Sequence, residues 1–333
     1  MGLTIIEALR NIILEAAKRG MFMELKARNY GNDSISALKG ADRVRKRPAV
    51  IFGSDGIEGC QHSVFEILSN SIDEAREGFG SEIVVTLFED HSIEIEDHGR
   101  GIPVDFNKNE GKFNWELVFC ELYAGGKYNN ATAQNYEYSL GLNGLGLCST
   151  QYSSEYMDVE IKRDGFVYWL HFEKGDNVGG LQKEPYDGKD TGTKIRWKPD
   201  LAVFTDINIS QEYFFDVMKR QAIVNAGLKF IFRSQAGESF EVSEFKYENG
   251  IVDHVKELVG EDFLTPVQFW TGEKKVRDRE DKPYYKTKIN IAFAFSNKVS
   301  GAEYYHNSSW LEYGGAPEKA VKNAFVYQID SYL

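Results

Sequence analysis

The sequence predicts an α+β fold of two successive units, and three patterns support this prediction. Residues 60–77 carry apolar side chains at helical spacing, as an amphipathic helix does. Runs at 82–88 and 92–97 alternate between apolar and polar residues, which is typical of a β-hairpin. After residue 248 the helical and strand patterns begin again, so we place a boundary there and expect a smaller α/β unit at 249–333.

The same patterns predict the other elements in chain order. We expect a hairpin at 157–172, a strand at 191–197, a helix at 211–225, strands at 229–233 and 240–247, a helix at 252–259, a strand at 288–296 and a helix at 317–333. The glycine-rich region 124–146 has no period, which predicts a loop. The helical pattern at 317–333 continues to the final residue, so we expect this chain to be the front portion of a longer protein.

The N-terminal residues 4–20 also have apolar side chains at helical spacing. They lack a basic n-region and a small-residue cleavage site, which argues against a signal peptide. We interpret residues 1–22 as an additional amphipathic helix or a leader. No apolar run approaches the roughly 20 residues that a membrane helix needs, so we expect no membrane partner.

Composition excludes several classes of protein. Of the 333 residues, 42% are apolar and 14% aromatic, which is far above the content of disordered chains. The 51 acidic and 39 basic residues give a net charge of −12, which disfavours a surface whose main task is to bind nucleic acid. Three separated cysteines without a C-x-x-C pair argue against disulfides or zinc and indicate a reducing, cytoplasmic location.

A basic cluster at 43–47 precedes Pro48. Its four Lys and Arg side chains either contact phosphate or form a solvated face, and we favour the solvated face.

The predicted helix at 60–77 carries a candidate catalytic group. His62, Glu66 and Asn70 are spaced by four residues, opposite the apolar stripe. Asn is a mediocre helix former, and its amide oxygen beside a carboxylate suits a hard cation such as Mg²⁺. Glu66 is then placed to activate a water molecule, with His62 orienting it. The alternative is a solvated polar face, and we favour that alternative for Asp73.

A second candidate group follows the strand at 92–97. Alternation places Asp97 on the same face as Ile93 and Ile95, so its carboxylate points towards the apolar side. A carboxylate directed inward needs a hydrogen-bond donor, and a ligand amine supplies one. Gly99 and Gly101 allow the backbone to approach a ligand closely. The alternative is an ordinary turn.

The glycine-rich segments at 124–127 and 139–146 form a third group. Glycine backbone N–H groups bind anions, and Lys127 adds a point charge for a phosphate. The segments contain no G-x-x-x-x-G-K-[ST] motif, and an ordinary surface loop is the alternative. Thr193, at the start of a strand, is a candidate ligand contact or simply a strand residue.

In this order and at these separations, the motifs resemble the N-terminal ATPase region of bacterial type IIA topoisomerase B subunits, the B subunits of DNA gyrase and topoisomerase IV, within the GHKL superfamily. The motifs are Val44-Arg45-Lys46-Arg47-Pro48, Phe65-Glu66-x-x-x-Asn70-x-x-Asp73-Glu74-Ala75, Asp97-x-Gly99-Arg100-Gly101-Ile102-Pro103, Ala124-Gly125-Gly126-Lys127, Gly141-Leu142-Asn143-Gly144-Leu145-Gly146 and Thr191-Gly192-Thr193. The resemblance covers roughly residues 30–333.

The resemblance implies a GHKL (Bergerat) two-layer α/β sandwich at 23–248, including an N-terminal dimerisation arm. A truncated transducer domain similar to ribosomal protein S5 domain 2 would follow at 249–333. ATP and Mg²⁺ would be the cofactors.

It also implies roles for individual residues. Glu66 would be the general base, supported by His62, and Asn70 would hold Mg²⁺ between the phosphates. Asp97 would accept a hydrogen bond from the adenine amino group, with Thr193 helping through water.

Other residues would complete the implied site. Arg100 would pair with Glu74 at the pocket mouth, and Arg163 would lie near the same rim. Lys127, a further catalytic residue, would close over the β- and γ-phosphates with the backbone of 141–146. The remaining nucleotide-binding positions would be Gly101, Ile102, Pro103, Gly125, Gly126, Gly141, Leu142, Asn143, Gly144, Leu145 and Gly146. Tyr30 would belong to the arm that crosses to the partner protomer.

The implied function is an ATP-hydrolysing module that forms a homodimer on ATP binding and gates DNA strand passage. Its partners would be a DNA-cleavage subunit of the gyrase A or topoisomerase IV A type, and DNA through the full-length enzyme. Leu140 and Asn143 replace a usual glycine and histidine of the lid, which leaves open a diverged paralogue that dimerises with little turnover. Another GHKL ATPase, of the chaperone or mismatch-repair type, is the third alternative.

Overall fold

The computed structural model describes residues 37–125, 140, 144–277, 279–282 and 284–333. The chain divides into two units, Met1–Leu38 and Lys39–Leu333, and every element below belongs to the second. The helix predicted at 4–20 lies outside the described residues.

The described elements include those predicted between residues 57 and 333, together with several that the sequence patterns did not predict. The helices are α1 (Asp42–Arg45), α2 (Pro48–Phe52), α3 (Ile57–Arg76), α4 (Asn114–Cys120), α5 (Gly146–Tyr152), α6 (Gln211–Val224), α7 (Ile251–Val259) and α8 (Gly315–Tyr332). The longer strands are β1 (Glu82–Leu87), β2 (Ile93–Asp97), β5 (Ser154–Arg163), β6 (Phe166–Glu173), β7 (Asp176–Pro185), β8 (Gly192–Pro199), β9 (Lys229–Ala236), β10 (Ser239–Phe245), β11 (Gln268–Val276) and β12 (Tyr285–Phe293). Two-residue strands are β3 (Phe106–Asn107), β4 (Lys112–Phe113), β13 (Tyr305–His306) and β14 (Ser309–Trp310).

Eight strands form one mixed sheet in the order β10-β9-β1-β2-β8-β5-β6-β7. Strands β1 and β9 are parallel, and the other neighbouring pairs are antiparallel. The predicted α+β fold and both predicted hairpins, β1–β2 and β5–β6, are confirmed. Strand β2 lies near the middle of the sheet, so its last residue, Asp97, emerges between two neighbours, β1 and β8.

Helix α3 lies on the sheet with its apolar stripe inward and contacts both β1 and β2. Val64, Leu68 and Ile72 are at most 1% exposed, and they share one core with Ile93 and Ile95 of β2. Burying one stripe fixes the rotation of the helix about its axis. The polar face of α3 is therefore held in a defined position above the sheet.

Helix α5 packs against α3 and α4 but was not predicted. Several of its buried side chains are small and polar, so it has no apolar period to detect. Ser149 donates to the Leu145 carbonyl at 2.7 Å, and Thr150 donates to the Ser63 carbonyl of α3 at 3.2 Å. These bonds satisfy hydroxyl groups that would otherwise be costly to bury.

In the C-terminal region, β11 and β12 form a separate hairpin. Helix α7 contacts β12, and the Phe325 ring of α8 packs edge-on against Phe293 at 5.3 Å between centroids. The domain boundary near residue 248 stays a prediction. No helix among the described residues is long and apolar enough to cross a membrane.

The interpretation of the basic cluster as a wholly solvated face is wrong for Arg45. Its guanidinium forms an ion pair with Asp200 and donates to the carbonyls of Tyr152 and Ser154 at 3.1 and 3.3 Å. Burial favours the protonated form of Asp200, but the bonds from Arg45 and the Ala202 amide outweigh it and hold the pKa of Asp200 below its usual value. Arg45 therefore ties α1 to the end of α5 and the segment after β8.

Replacing Arg45 with Met should lower the free energy of unfolding by about 3 kcal/mol, because a largely buried carboxylate loses its partner. The matched control is Arg47→Met, two residues away, because the Arg47 side chain is exposed and its hydrogen bond in the described structure goes to the adjacent Lys46 carbonyl. We expect a change of about 0.5 kcal/mol or less for the control. Urea unfolding followed by circular dichroism measures both, and equal effects would contradict this role of Arg45.

Candidate functional site

The polar face of α3 brings the predicted catalytic residues together. His62, Glu66 and Asn70 lie one turn apart on the same face. The Nε2 atom of His62 is 3.1 Å from Oε1 of Glu66, and its Nδ1 atom is 3.1 Å from the carbonyl oxygen of Phe52. The side chains of His62 and Glu66 are 44% and 29% exposed, so water reaches this pair.

Both ring nitrogens of His62 face atoms that only accept hydrogen bonds. A carboxylate and a carbonyl are satisfied together when the imidazole carries two N–H groups. The hydrogen bond to Glu66 accordingly raises the pKa of His62 above 6.5, although burial acts in the opposite direction. Since Oε1 of Glu66 is hydrogen-bonded to His62, the second carboxylate oxygen, Oε2, is the one that can contact water or a ligand.

Asn70 has the chemistry of a cation ligand. Its Nδ2 atom donates to the backbone carbonyl of Glu66 at 3.1 Å, so the oxygen is the end of the amide that can bind a cation. No group of three His, Cys, Asp or Glu in the described part of the chain is placed to hold a metal. The amide oxygen of Asn70 is a hard ligand of the kind that Mg²⁺ binds, and this ion commonly takes few protein oxygens and completes its shell with phosphates and water.

The interpretation of Asp73 as part of a solvated face is wrong. Asp73 is 2% exposed, and its Oδ1 atom accepts a hydrogen bond from the backbone N–H of Leu140 at 2.9 Å. A buried carboxylate needs such donors. Because Leu140 makes this contact through its backbone, the contact does not depend on the side chain at that position.

The predicted ion pair between Glu74 and Arg100 is present. Nε and Nη2 of Arg100 donate to the two oxygens of Glu74 at 2.9 and 2.8 Å, and this two-point geometry is a strong one. The guanidinium also lies 4.1 Å from the ring centroid of Phe79. These contacts attach the segment after β2 to the last turn of α3.

Asp97 is surrounded by donors from three different elements. Its Oδ2 atom accepts from the Ser71 hydroxyl of α3 at 2.8 Å. Its Oδ1 atom accepts from the backbone N–H groups of Gly99 and Thr193 at 3.0 and 3.2 Å. Burial raises the pKa of Asp97 above its usual value, although these bonds act against it. A further donor on a ligand would therefore find a desolvated acceptor.

The rim beside Asp97 is formed by the turn after β2. The Oγ1 atom of Thr193 accepts from the Ile102 N–H at 3.2 Å, which leaves the hydroxyl hydrogen to donate elsewhere. Arg163 donates to the carbonyl of Gly101 at 2.7 Å, so it lies at this rim as predicted. Gly101 has φ +76°, and a Cβ there would come within 2.8 Å of the Lys162 carbonyl. Ile102 is half-buried, and Pro103, next in the chain, is exposed.

The start of α5 lies directly on Glu66. A Cβ on Gly146 would overlap the Oε2 atom of Glu66 and lie 2.9 Å from its Cβ, so only glycine fits. Leu145 precedes it, and the Gly144 carbonyl accepts from the backbone N–H of Tyr123 at 2.9 Å. The described end of the predicted lid thus meets the carboxylate that is predicted to act as the base.

Several predicted residues are not placed by the structure. Lys127, Gly126, Gly141, Leu142, Asn143 and Tyr30 lie outside the described residues. Gly125 is the last described residue before the first internal gap and is exposed.

Sequence reasoning missed two contributors to the site, Ser71 and Phe79. Ser71 is 4% exposed and donates to Asp97, but a serine inside a helix gives no signal of its own. Phe79 follows the end of α3 and stacks on Arg100. The sequence signal that could have indicated Phe79 is an aromatic residue just after the end of a predicted helix.

Together these residues form two functional regions along α3, one at the contact of Ser71 with Asp97 and one at Glu66 and Asn70. Ser71, which contacts Asp97, lies five residues after Glu66, or about 7.5 Å along the helix axis. One end offers a desolvated acceptor for a ligand N–H group. The other offers a hydrated carboxylate beside an amide oxygen. The arrangement suits a long ligand with an amine at one end and a hydrolysable, metal-bound group at the other.

Comparison with protein families gives one match to this part of the chain. The profile described as histidine kinase-, DNA gyrase B-, and HSP90-like ATPase matches residues 56–203. This range contains every predicted site residue except Tyr30.

The chain is similar to the B subunits of two type IIA enzymes. It is 36% identical to the DNA gyrase B protein of Synechocystis sp. over 70% of this chain and 21% of that protein, and 36% identical to that of Thermotoga maritima over 81% and 42%. It is 33% identical to the DNA topoisomerase 4 B protein of Staphylococcus aureus over 92% of this chain and 45% of that protein. The chain thus spans less than half the length of each of these relatives.

A solved structure supports the same relationship. The fold is similar to the 43K ATPase domain of Thermus thermophilus gyrase B, crystallised in complex with an aminocoumarin. The TM-score is 0.59 at 31% identity, and the match covers 71% of this chain and 59% of the other.

Substitution of Glu66 by Gln should lower the pKa of His62, because it replaces the charged acceptor that raises that pKa most with a neutral amide, while burial, which lowers the pKa, and the bond to the Phe52 carbonyl remain. In the parent protein we expect His62 to titrate above 6.5. The stabilisation from the charged pair is then fully present below pH 6.5 and is lost as pH rises through the raised pKa. NMR titration of the imidazole tests this, and an unchanged pKa in the variant would contradict it.

Proposed function

This chain belongs to the family of histidine kinase-, DNA gyrase B- and HSP90-like ATPases, in the branch of gyrase and topoisomerase IV B subunits, and we propose that it is the ATP-binding and ATP-hydrolysing module of a type IIA DNA topoisomerase. The observation that supports this most strongly is the line of His62, Glu66 and Asn70 along α3, with Asp97 beyond it. A carboxylate, an amide oxygen and a half-buried acceptor in this order match the chemistry of a metal-bound adenine nucleotide.

In this proposal Asp97 accepts the hydrogen bond of the adenine amino group. Its own donors, Ser71, Gly99 and Thr193, hold the carboxylate in place. The Glu74–Arg100 pair and Arg163 form the rim of the pocket. The backbone of 141–146, together with Gly125, Gly126 and Lys127, would close over the phosphates.

At the other end, Glu66 is the general base. His62 binds Oε1, so Oε2 is the atom that accepts a proton from the attacking water. Asn70 would hold Mg²⁺, which supplies positive charge beside the transferring phosphoryl group. Gly146 carries no side chain, whereas a Cβ at this position would overlap Oε2.

For the whole protein we propose ATP-dependent homodimerisation through the arm that contains Tyr30. This dimer would gate DNA strand passage in the cytoplasm, together with a DNA-cleavage subunit of the gyrase A or topoisomerase IV A type. The transducer domain at 249–333 would carry the nucleotide state to the rest of the enzyme.

Replacing Glu66 with Gln should reduce ATP hydrolysis by about 10²–10⁴-fold while nucleotide binding persists, because the amide cannot accept the proton. The measurement is steady-state hydrolysis by the full-length protein with its cleavage subunit, alongside calorimetric ATP binding. Glu58→Gln, at an exposed residue in the first turn of the same helix, is the matched control and should leave turnover unchanged. Unchanged turnover in Glu66→Gln would contradict the assignment. A parent protein that binds ATP and dimerises without turnover would indicate the diverged, nucleotide-gated module instead.

Gly146→Ala should lower ATP hydrolysis by about 10²-fold, because the new methyl group displaces the Glu66 carboxylate from its working position. Gly301→Ala is the matched control, since a Cβ on Gly301 meets nothing within 4 Å. Hydrolysis rates and thermal unfolding of both variants are compared with those of the parent. Full activity of Gly146→Ala would contradict the placement of Oε2 as the proton acceptor.

A further inference from the structure

The C-terminal end of α5 is held by two residues that lie far away in the sequence. A helix leaves its last carbonyl groups without partners inside the helix. Arg45 donates to the carbonyls of Tyr152 and Ser154 at 3.1 and 3.3 Å. The backbone N–H of Asp200 donates to the Ser153 carbonyl between them at 3.1 Å. Three successive carbonyls at this end of α5 are therefore satisfied from outside the helix.

Arg45 is itself fixed by its surroundings. Its side chain is 17% exposed, and its guanidinium forms an ion pair with Asp200. A positive group at the C-terminus of a helix also complements the helix dipole. A Cβ on Gly175 would come within 2.4 Å of the Ala41 Cβ and 3.3 Å of the Tyr152 ring. The turn between β6 and β7 thus closes against the start of α1 and the end of α5, and the three form one packed junction.

The N-terminal end of α5 lies on the carboxylate that we propose as the base. Helix α5 has seven residues, so Gly146 and Tyr152 are about 9 Å apart along its axis. A Cβ on Gly146 would overlap Oε2 of Glu66, so the helix begins in direct contact with this side chain. The bonds from Arg45 at one end and the contact with Glu66 at the other are connected by one short helix.

Between these ends, α5 has a buried side chain that does not fix its position. Gln151 is 1% exposed, and neither Nε2 nor Oε1 of its amide has a hydrogen-bond partner among the described residues. Burying an amide without partners is unfavourable, so α5 would gain by shifting if its C-terminal end were released. The bond from Thr150 to the Ser63 carbonyl of α3, at 3.2 Å, is a single neutral one. The position of α5 therefore depends on Arg45.

We propose that Arg45 is a positioning residue for ATP hydrolysis, because it holds α5 where Gly146 confines the carboxylate of Glu66. Arg45 bonds to Asp200 and to the carbonyls after α5, so it acts on Glu66 through the helix. A displacement of about 1 Å can lower a rate about 10²-fold, so a small shift of α5 would change turnover without removing a nucleotide contact. The role in hydrolysis rests on the proposed function, whereas the position of α5 rests on these contacts.

The test replaces Arg45 with Lys in the full-length protein, assayed with its cleavage subunit. Lysine keeps the charge, but it is a point donor that cannot bond to the Asp200 carboxylate and two carbonyls together. The control is Ile223→Ala in α6, because Ile223 is 2% exposed but lies outside the core that α3 and α5 share. The cavity should lower stability without moving α5. Thermal unfolding sets an assay temperature at which every variant is folded.

We expect Arg45→Lys to lower kcat about tenfold and to leave calorimetric ATP affinity within about twofold, because the donors around Asp97 stay in place. Ile223→Ala should lower the unfolding temperature but keep the parent kcat. Arg45→Lys combined with Gly146→Ala should lose less than the product of the two single losses, since both substitutions displace the same carboxylate. An unchanged kcat in Arg45→Lys, an equal loss in the control, or a multiplicative loss in the double variant would overturn the proposal.

The imidazole of His62 reports the same displacement without ATP. A Glu66 side chain no longer confined by Gly146 would move away from His62, so NMR titration should find a lower pKa of His62 in Arg45→Lys and the parent pKa in Ile223→Ala. A parent protein without ATP hydrolysis would contradict the proposed function. The titration would then decide on α5 alone, and an unchanged pKa of His62 would overturn its positioning by Arg45. ATP hydrolysis with kcat and this pKa both unchanged in Arg45→Lys would contradict this inference alone.

Discussion

The site depends on one half-buried carboxylate, that of Asp97, which connects three elements. It receives Ser71 of α3, Gly99 of the following turn and Thr193 of β8. An uncompensated carboxylate is expensive to bury, so these donors must stay together, and the helix, the central strand and its neighbour are held in one arrangement. The same burial raises the pKa of Asp97 and makes it a strong acceptor for one more N–H group.

The helix that contributes Ser71 also carries His62, Glu66 and Asn70, so adenine recognition and hydrolysis are proposed to share one rigid body. A buried apolar stripe fixes its rotation, and Asp73 and Glu74 bind the lid segment and the rim. Because Gly146 lies against Glu66, a small shift of the lid would change access to the carboxylate. Nucleotide binding and lid position are therefore physically linked in this account.

The parts of the fold and of the site that depend on local sequence patterns were predictable. The apolar periods of α3, β1 and β2 gave their positions, and the spacing of His62 and Glu66 gave their contact. Three features depended on partners distant in sequence. Buried Asp73 accepts a hydrogen bond from Leu140, and half-buried Arg45 pairs with Asp200. Helix α5 has small polar side chains whose hydrogen bonds replace an apolar stripe. No window of the sequence contains both partners of such contacts, so periodicity could not reveal them.

The proposed recognition of the adenine amino group by Asp97 is tested most directly by calorimetric binding of ATP and inosine triphosphate to the parent and to Asp97→Asn. Inosine has an accepting carbonyl where adenine has a donating amino group, so the parent should prefer ATP by about 1–3 kcal/mol, the cost of a mispaired buried group. Because Asn can donate as well as accept, the substitution should weaken ATP binding and remove or invert this preference. Equal affinity of the parent for both nucleotides, or an unchanged preference in the variant, would contradict the account.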